Sequence, residues 1–256
     1  MIITTEEQKE NLIEAGKRLA KVLEALRAKV APGVTAEELD DLAEAMIRNG
    51  GDTPAFLGYT PEGAKRAYPA TLCVSINDEV VHGIPNESEK MLKEGDIVGF
   101  DLGLTHKGII VDAAITVPVG EVDEESRALL RTTESALRAG IAQASAGNHV
   151  GDISSAIQEV IENAGCKVVR ELGGHGVGER VHEDPFVPNF GRRGTGVALT
   201  EGMVLALEPI ATLGKAAVTL APDGYTYRTK DGSRSAHYEH TILIEQSGPL
   251  VVTTSS

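Results

Sequence analysis

The sequence predicts an α+β fold made from a duplicated unit, and three observations carry that prediction. Helical patterns come in two pairs, and β-like runs follow each pair. A shift of 114 positions lays the second helix on the fourth: Leu39, Leu42, Ala43, Met46 and Ile47 fall on Ile153, Ala156, Ile157, Val160 and Ile161. The same shift places Gly33 on Gly147, Asn49 on Asn163 and Gly51 on Gly165. Downstream, a shift of 107 aligns residues 94–101 with 201–208, so that an acidic residue ends the matched strand in each half. Any two amphipathic helices resemble each other, but two ordered matches at nearly one offset argue for duplication. A pseudo-twofold axis between the halves would bring Asp101 and Glu208 together, and a metal is the simplest reason for two acids to converge.

The elements follow in order. Residues 5–30 read as a helix with Leu12, Leu19, Leu23, Leu26 and Val30 on one stripe, ended by Pro32-Gly33. A second helix starts at Thr35, where Thr35 and Glu38 fit a capping box, and Asn49-Gly50-Gly51 ends it. β-like segments come near residues 72–81, 97–105 and 109–117, then helices at about 124–145 and 151–163. The remainder alternates β-like runs with Gly-rich loops. A single catalytic domain over residues 1–256 is expected, with halves of about 5–120 and 121–250.

Charge narrows the function. The chain carries 24 Lys and Arg against 38 Asp and Glu, a net charge of −14. A nucleic-acid binder or membrane-surface protein would cluster basic residues instead. Two cysteines, Cys73 and Cys166, are too few for a disulfide framework. No apolar run approaches the ~18 residues of a membrane helix, and the start, MIITTEEQKE, has no signal-peptide pattern. A cytoplasmic setting is the expectation.

Chemistry concentrates in a few segments. Residues 99–117 read as a hairpin turning near His106-Lys107, which would set Asp101 directly across from Asp112. Like charges so placed repel, so a purely structural sheet would avoid them. His175 sits in Gly173-Gly174-His175-Gly176-Val177-Gly178, whose glycine spacing does not fit a dinucleotide fingerprint. His182 follows in Val181-His182-Glu183, and His82 lies in Val80-Val81-His82-Gly83-Ile84-Pro85. Each alone reads as an ordinary loop or core histidine, as do His106 and His149. Residues 236–244 read as a strand with His237, Glu239 and Thr241 on one face. A carboxylate inside such an apolar strand is costly unless paired or metal-bound.

Taken together, Val81-His82-Gly83-Ile84-Pro85, Asp101 and Asp112, Gly174-His175-Gly176-Val177-Gly178, His182-Glu183, Glu208-Pro209 and Tyr238-Glu239-His240-Thr241 closely resemble the type 1 methionine aminopeptidase family over nearly the whole chain. The resemblance implies the pita-bread fold, with two pseudo-twofold-related α/β halves and a curved antiparallel sheet. It implies removal of the initiator methionine from nascent polypeptides with a small second residue, by attack of a metal-bound hydroxide on the peptide bond. It makes Asp101, Asp112, His175, Glu208 and Glu239 the ligands of two divalent ions, with Asp112 and Glu239 shared between them. Four carboxylates and one imidazole suit Mn, Fe, Co or Zn. His182 resembles the residue that stabilises the oxyanion, and His82 the one that assists the leaving nitrogen. Glu208 also resembles a proton acceptor for the attacking water. Cys73, Tyr68, Tyr59, Phe186 and Tyr225 are the expected substrate-binding residues of the methionine pocket, beside His82 and His182. A cytoplasmic monomer is implied, meeting its substrates at the ribosome exit, with no nucleic acid or membrane partner.

The chain departs from the family pattern at Val181, where an aromatic is common, and at Tyr225, where Trp is common. Residues 60–67 are longer than expected and read as a surface loop, either a passive insertion or a flap over the pocket mouth. His237 stands where Gln is more frequent, and a supporting contact near the metals is expected of it. The bacterial short form is the best match. Two alternatives stay open: a proline-directed peptidase of the same fold, usually with a large N-terminal domain, and a non-catalytic pita-bread binding protein.

Overall fold

The computed structural model describes residues 1–254. Helices α1 (Glu6–Lys29) and α2 (Ala36–Asn49) lead into β1 (Thr53–Pro54), β2 (Leu72–Ile76), β3 (Glu79–Val81), β4 (Ile97–His106) and β5 (Ile109–Pro118). Helices α3 (Glu124–Gln143) and α4 (Val150–Asn163) lead into β6 (Lys167–Val168), β7 (Gly173–Gly176), β8 (Glu183–Pro188), β9 (Val204–Leu207) and β10 (Ile210–Thr212). The chain continues through β11 (Val218–Leu220), β12 (Tyr227–Thr229), β13 (Ser235–His237), β14 (Glu239–Glu245) and β15 (Gly248–Val251). No helix among the described residues is long and apolar enough to cross a membrane.

Local chemistry sets the helix ends. Thr5 with Gln8 and Thr35 with Glu38 form reciprocal capping boxes that satisfy backbone N–H groups the first turn leaves free. Asp123 caps α3 through the Ser126 N–H.

The repeat extends to backbone torsions. Gly33 and Gly147 both take φ +93°, Gly51 and Gly165 +81° and +82°, and Gly95 and Gly202 +87° and +85°. Thr35 bridges Met91 in one half, and His149 bridges Ala198 at the matching positions of the other. β1 likewise pairs with β4 as β6 pairs with β10, Pro54 opposite Leu104 and Val168 opposite Ala211. Such left-handed glycines cannot be replaced without strain, so their recurrence at the repeat offset marks the duplication at the level of physical need.

The main sheet runs β1-β4-β5-β14-β9-β7-β8, with β2 added to β4 and β15 to β14. Its pairings are antiparallel. Alternation divides its two faces. Leu102, Leu104, Val111 and Ala113 join Leu12, Leu19 and Leu39 in one core under α1 and α2. Leu205, Leu207, Ile242 and Ile244 join Leu129, Ile153 and Ile157 in a second core under α3 and α4. The opposite face carries the acids.

Three expectations need correction. The hairpin turns at Lys107-Gly108, both at positive φ (46° and 82°), because a tight two-residue hairpin needs that geometry. Asp101 therefore faces Ala114, and Gly103 faces Asp112, so the two acids sit diagonally on one face. Asp101 also lies mid-strand in β4, whereas Glu208 falls just beyond the end of β9. The expected strand 236–244 is split: β13 pairs with β10, and β14 starts at Glu239 between β5 and β9. Tyr238 fills the break, and its hydroxyl donates to Thr116 O.

Candidate metal centre and active-site pocket

The sheet register assembles two adjacent rows of side chains. In one, Asp101 and Glu239 flank Ala114 from the strands on either side of β5. Glu208 continues this row, one residue past the Leu207–His240 pair. In the next row, Asp112 lies beside Gly103 and Thr241, while Ala206 separates Thr241 from His175. Small residues between the acids leave room above the sheet. Thr241 locks the middle of the rows, since its Oγ1 accepts from Asp112 N at 2.9 Å and lies 2.7 Å from Asp112 O.

Asp112, His175 and Glu239 place one ligand atom each within 4.8 Å of one another, and all three are buried. His175 Nε2 lies 3.8 Å from Glu208 Oε1, while its Nδ1 is held 2.9 Å from Gly176 O. That backbone contact directs Nε2 toward the acids. Asp101 Oδ1, Asp112 Oδ1 and Glu239 Oε1 are buried without any hydrogen-bond partner.

The electrostatics follow from burial. Desolvation, then the neighbouring carboxylates, hold Asp112 and Glu239 well above the usual range. Burial also lifts Asp101 to about 6. Burial pushes Glu208 up as well, but His237, His175 and His82 around it prevail and leave it lowered. His237 Nε2 stands 3.3 Å from Glu208 Oε2 and 3.8 Å from Glu239 Oε2, without an aligned hydrogen bond. An unpaired buried ion costs several kcal/mol, and three orphaned carboxylate oxygens would strain a typical stability of about 5–15 kcal/mol. A cation is the partner this donor set fits.

One pocket joins these groups to an apolar wall. Its cavity volume is roughly 60 Å³, and it is lined by the five predicted ligands with His82, His182, Tyr59, Tyr68, Cys73 and Tyr225. His82 has φ +58°, a strained torsion for a side-chain-bearing residue, and its ring packs edge-on 6.0 Å from Tyr227. Burial drops His82 to about 4; burial and the adjacent His175 drop His182 to about 4 also. His182 stacks edge-on against His175 at 4.5 Å, and Tyr59 Oη lies 2.9 Å from its Nδ1.

Phe186 is the exception among the expected pocket residues. It is 52% exposed and lines an adjoining open groove with Leu172, Arg180 and Asp184. On β8 the neighbouring Val187 points inward, so alternation turns Phe186 outward. The sequence reading missed Phe56 and Pro61, which also line the pocket beside Val181. Phe56 is 7% exposed, and a Cβ on Gly103 would meet its ring at 2.7 Å, so the glycine makes space for it. Its segment has no periodicity that could have marked it. The ordinary reading of His106 fits its place, since it pairs with Asp52 at 2.7 Å; His240, 2.9 Å from Thr253 Oγ1, also lies away from the cluster.

Residues 10–246 match the metallopeptidase family M24. The chain belongs to metallopeptidase family M24. Within M24, it is 46% identical over 254 residues to a methionine aminopeptidase of Clostridium perfringens, covering 99% of both chains. It is 44% identical to that of Aquifex aeolicus, over 95% of each. The crystal structure of a Thermotoga maritima methionine aminopeptidase is similar with a TM-score of 0.94 and 43% identity, covering 99% of this chain and 100% of that one. A Pyrococcus furiosus prolidase is similar in fold alone, with a TM-score of 0.75 and 22% identity over 100% of this chain and 66% of that one. The M24 chain has the pita-bread fold that the sequence led one to expect.

Proposed function

We propose that this M24 protein is a metal-dependent aminopeptidase that removes N-terminal methionine from nascent polypeptides with a small second residue. The observation that carries the reading is the junction in one pocket of orphaned carboxylates, two histidines and an apolar wall. Its 42–46% identity with several methionine aminopeptidases over 93% or more of the chain supports the same reading.

Asp101, Asp112, His175, Glu208 and Glu239 would hold two divalent ions of the Co, Mn, Fe or Zn kind, with Asp112 and Glu239 shared. Such ions supply an acidified water and polarise the scissile carbonyl. The chain's own residues do the rest. Phe56, Tyr68, Cys73, Val181 and Tyr225 form a compact wall of a size and softness suited to a methionine side chain. His82, kept neutral by burial, presents one donor and one acceptor nitrogen, so it can hydrogen-bond the leaving nitrogen and pass it a proton only while taking one at its other nitrogen. His182, also neutral, offers an N–H to the carbonyl oxygen as negative charge develops. Glu208, held ionised, can take a proton from the attacking water. His237, with Nε2 3.3 Å from Glu208 Oε2, would favour the ionised form of that carboxylate.

The setting proposed with this reading is one catalytic domain over residues 1–256, acting as a cytoplasmic monomer on chains leaving the ribosome. Two free buried cysteines fit a reducing compartment. The exposed large apolar side chains, among them Leu57, Met91, Phe186 and Leu220, come from scattered segments, which suits a monomer.

A substrate panel tests the function. With Mn or Co supplied, Met-Ala-Ser is expected to be hydrolysed and X-Pro peptides left intact. Preference for X-Pro would make the chain a proline-directed peptidase, and inertness toward every peptide with metal bound would make it a binding protein.

A further inference from the structure

Tyr59 stands immediately before the long 60–67 segment, and its side chain touches His182. Its Oη lies 2.9 Å from His182 Nδ1, and the rings are tilted at 52° with centroids 5.4 Å apart. The backbone on either side is tied down. Tyr59 N donates to Phe56 O at 2.9 Å, Gly58 N to Tyr68 O at 2.9 Å, and Tyr68 N to Tyr59 O at 2.8 Å. The far end of the segment is clamped too. Arg66 Nη2 reaches Glu87 Oε2 at 2.7 Å and Asp223 O at 3.0 Å, and the Tyr225 hydroxyl donates to Arg66 O. Pro61, within the segment, forms part of the pocket wall. The segment is therefore a braced arch with Tyr59 as its springing point.

We propose that Tyr59 is a positioning residue for His182: its O–H donates to Nδ1, so the ring proton sits on Nε2 and that N–H serves the pocket. Which nitrogen of a neutral imidazole carries the proton is set by the partner of the other nitrogen. A phenol hydroxyl donates readily to a ring nitrogen with a free lone pair. An oxyanion needs an N–H donor already in place, and misplacement by about 1 Å can cost ~10²-fold in rate. The Tyr225 hydroxyl completes the brace through Arg66 O, so two of this chain's departures, a longer loop and a Tyr for a Trp, work as one device.

What the N–H serves rests on the aminopeptidase reading; the hydrogen bond itself does not. The test uses Tyr59→Phe in the zinc-loaded protein, with the nitrogen-15 resonances of His182 as a readout independent of turnover. Wild type is expected to show Nδ1 bare and Nε2 protonated, and the variant a mixture of both tautomers. On Met-Ala-Ser, kcat is expected to fall about tenfold, with KM within about twofold and metal content unchanged. In a His182→Ala background the same change should alter kcat no further, because the partner it acts through is gone. Nitrogen resonances identical in wild type and variant would overturn the proposal. So would a rise in KM with kcat intact, which would leave Tyr59 as wall alone, or an equal kcat loss in the His182→Ala background. A wild-type protein inert on all peptides would sink the aminopeptidase reading, while the nitrogen resonances would still decide the position of the proton.

Discussion

Asp112→Ala and Glu239→Ala are each expected to abolish hydrolysis, leaving less than about a thousandth of the wild-type rate. Lewis-acid help of several kcal/mol corresponds to factors of that size. Both carboxylates are nearly inaccessible, at 3% and 2% exposure, and each has an oxygen with no protein partner. Their burial suits a cation that neutralises them, so on the proposed ligand assignment removing either unbalances the cluster. The strands themselves should survive, because Thr241 bonds the backbone of Asp112 and not its side chain. Circular dichroism and elemental analysis of each variant separate a lost ion from a lost fold. A variant with stoichiometric metal and a near wild-type rate would refute the ligand assignment.

His82→Ala is expected to lower kcat by ~10²–10⁴-fold, the usual worth of general acid–base assistance, without loss of metal. His82 lines the pocket beside Glu208 yet has no contact with a carboxylate of the kind His175 and His237 make. Its φ of +58° is imposed on whatever residue stands there, since Gly83 packs its Cα edge against Val74 O, leaving 2.2 Å for a Cβ. Alanine in that torsion carries the same strain, of order 1 kcal/mol, so the fold should change little. Metal lost from this variant would instead make His82 a ligand.

Much of this architecture was legible in the chain because it obeys local rules. Both threonine caps on the first two helices appear where a Thr is followed three residues later by Glu or Gln. The repeat was legible because its glycines answer a torsional requirement, which selection of side-chain type alone cannot disguise. The hairpin register was misjudged by two residues, because Lys107 at φ +46° is an unusual occupant of a tight turn and gives no compositional warning. Asp101, Asp112 and Glu239 are recognisable because a charge within an apolar strand is conspicuous at any register, Glu208 by the repeat, and His175 only through the family resemblance. A shift of two residues keeps the parity, so Asp101 and Asp112 still share a face. The pocket wall was less readable. Phe56 enters from an irregular segment, and Phe186 turns outward by strand alternation, so neither aromatic announces its place by type. The Tyr59–His182 contact spans 123 residues and leaves no local trace at all.

The most direct test of the central claim, that the buried acids form a two-ion centre, is calorimetric titration of chelator-stripped protein with Mn(II) or Co(II). Burial and mutual repulsion hold the pKa values of Asp112 and Glu239 well above the carboxylate range, so ions that bind there compete with protons for the same oxygens. The proposed five-residue donor set predicts two ions per chain, with proton release visible as a heat that changes with the ionisation enthalpy of the buffer. Release should shrink as pH rises, because the carboxylates are then already ionised before the ions arrive. Failure to bind either ion, or binding of undiminished strength in Asp112→Ala, would contradict the account.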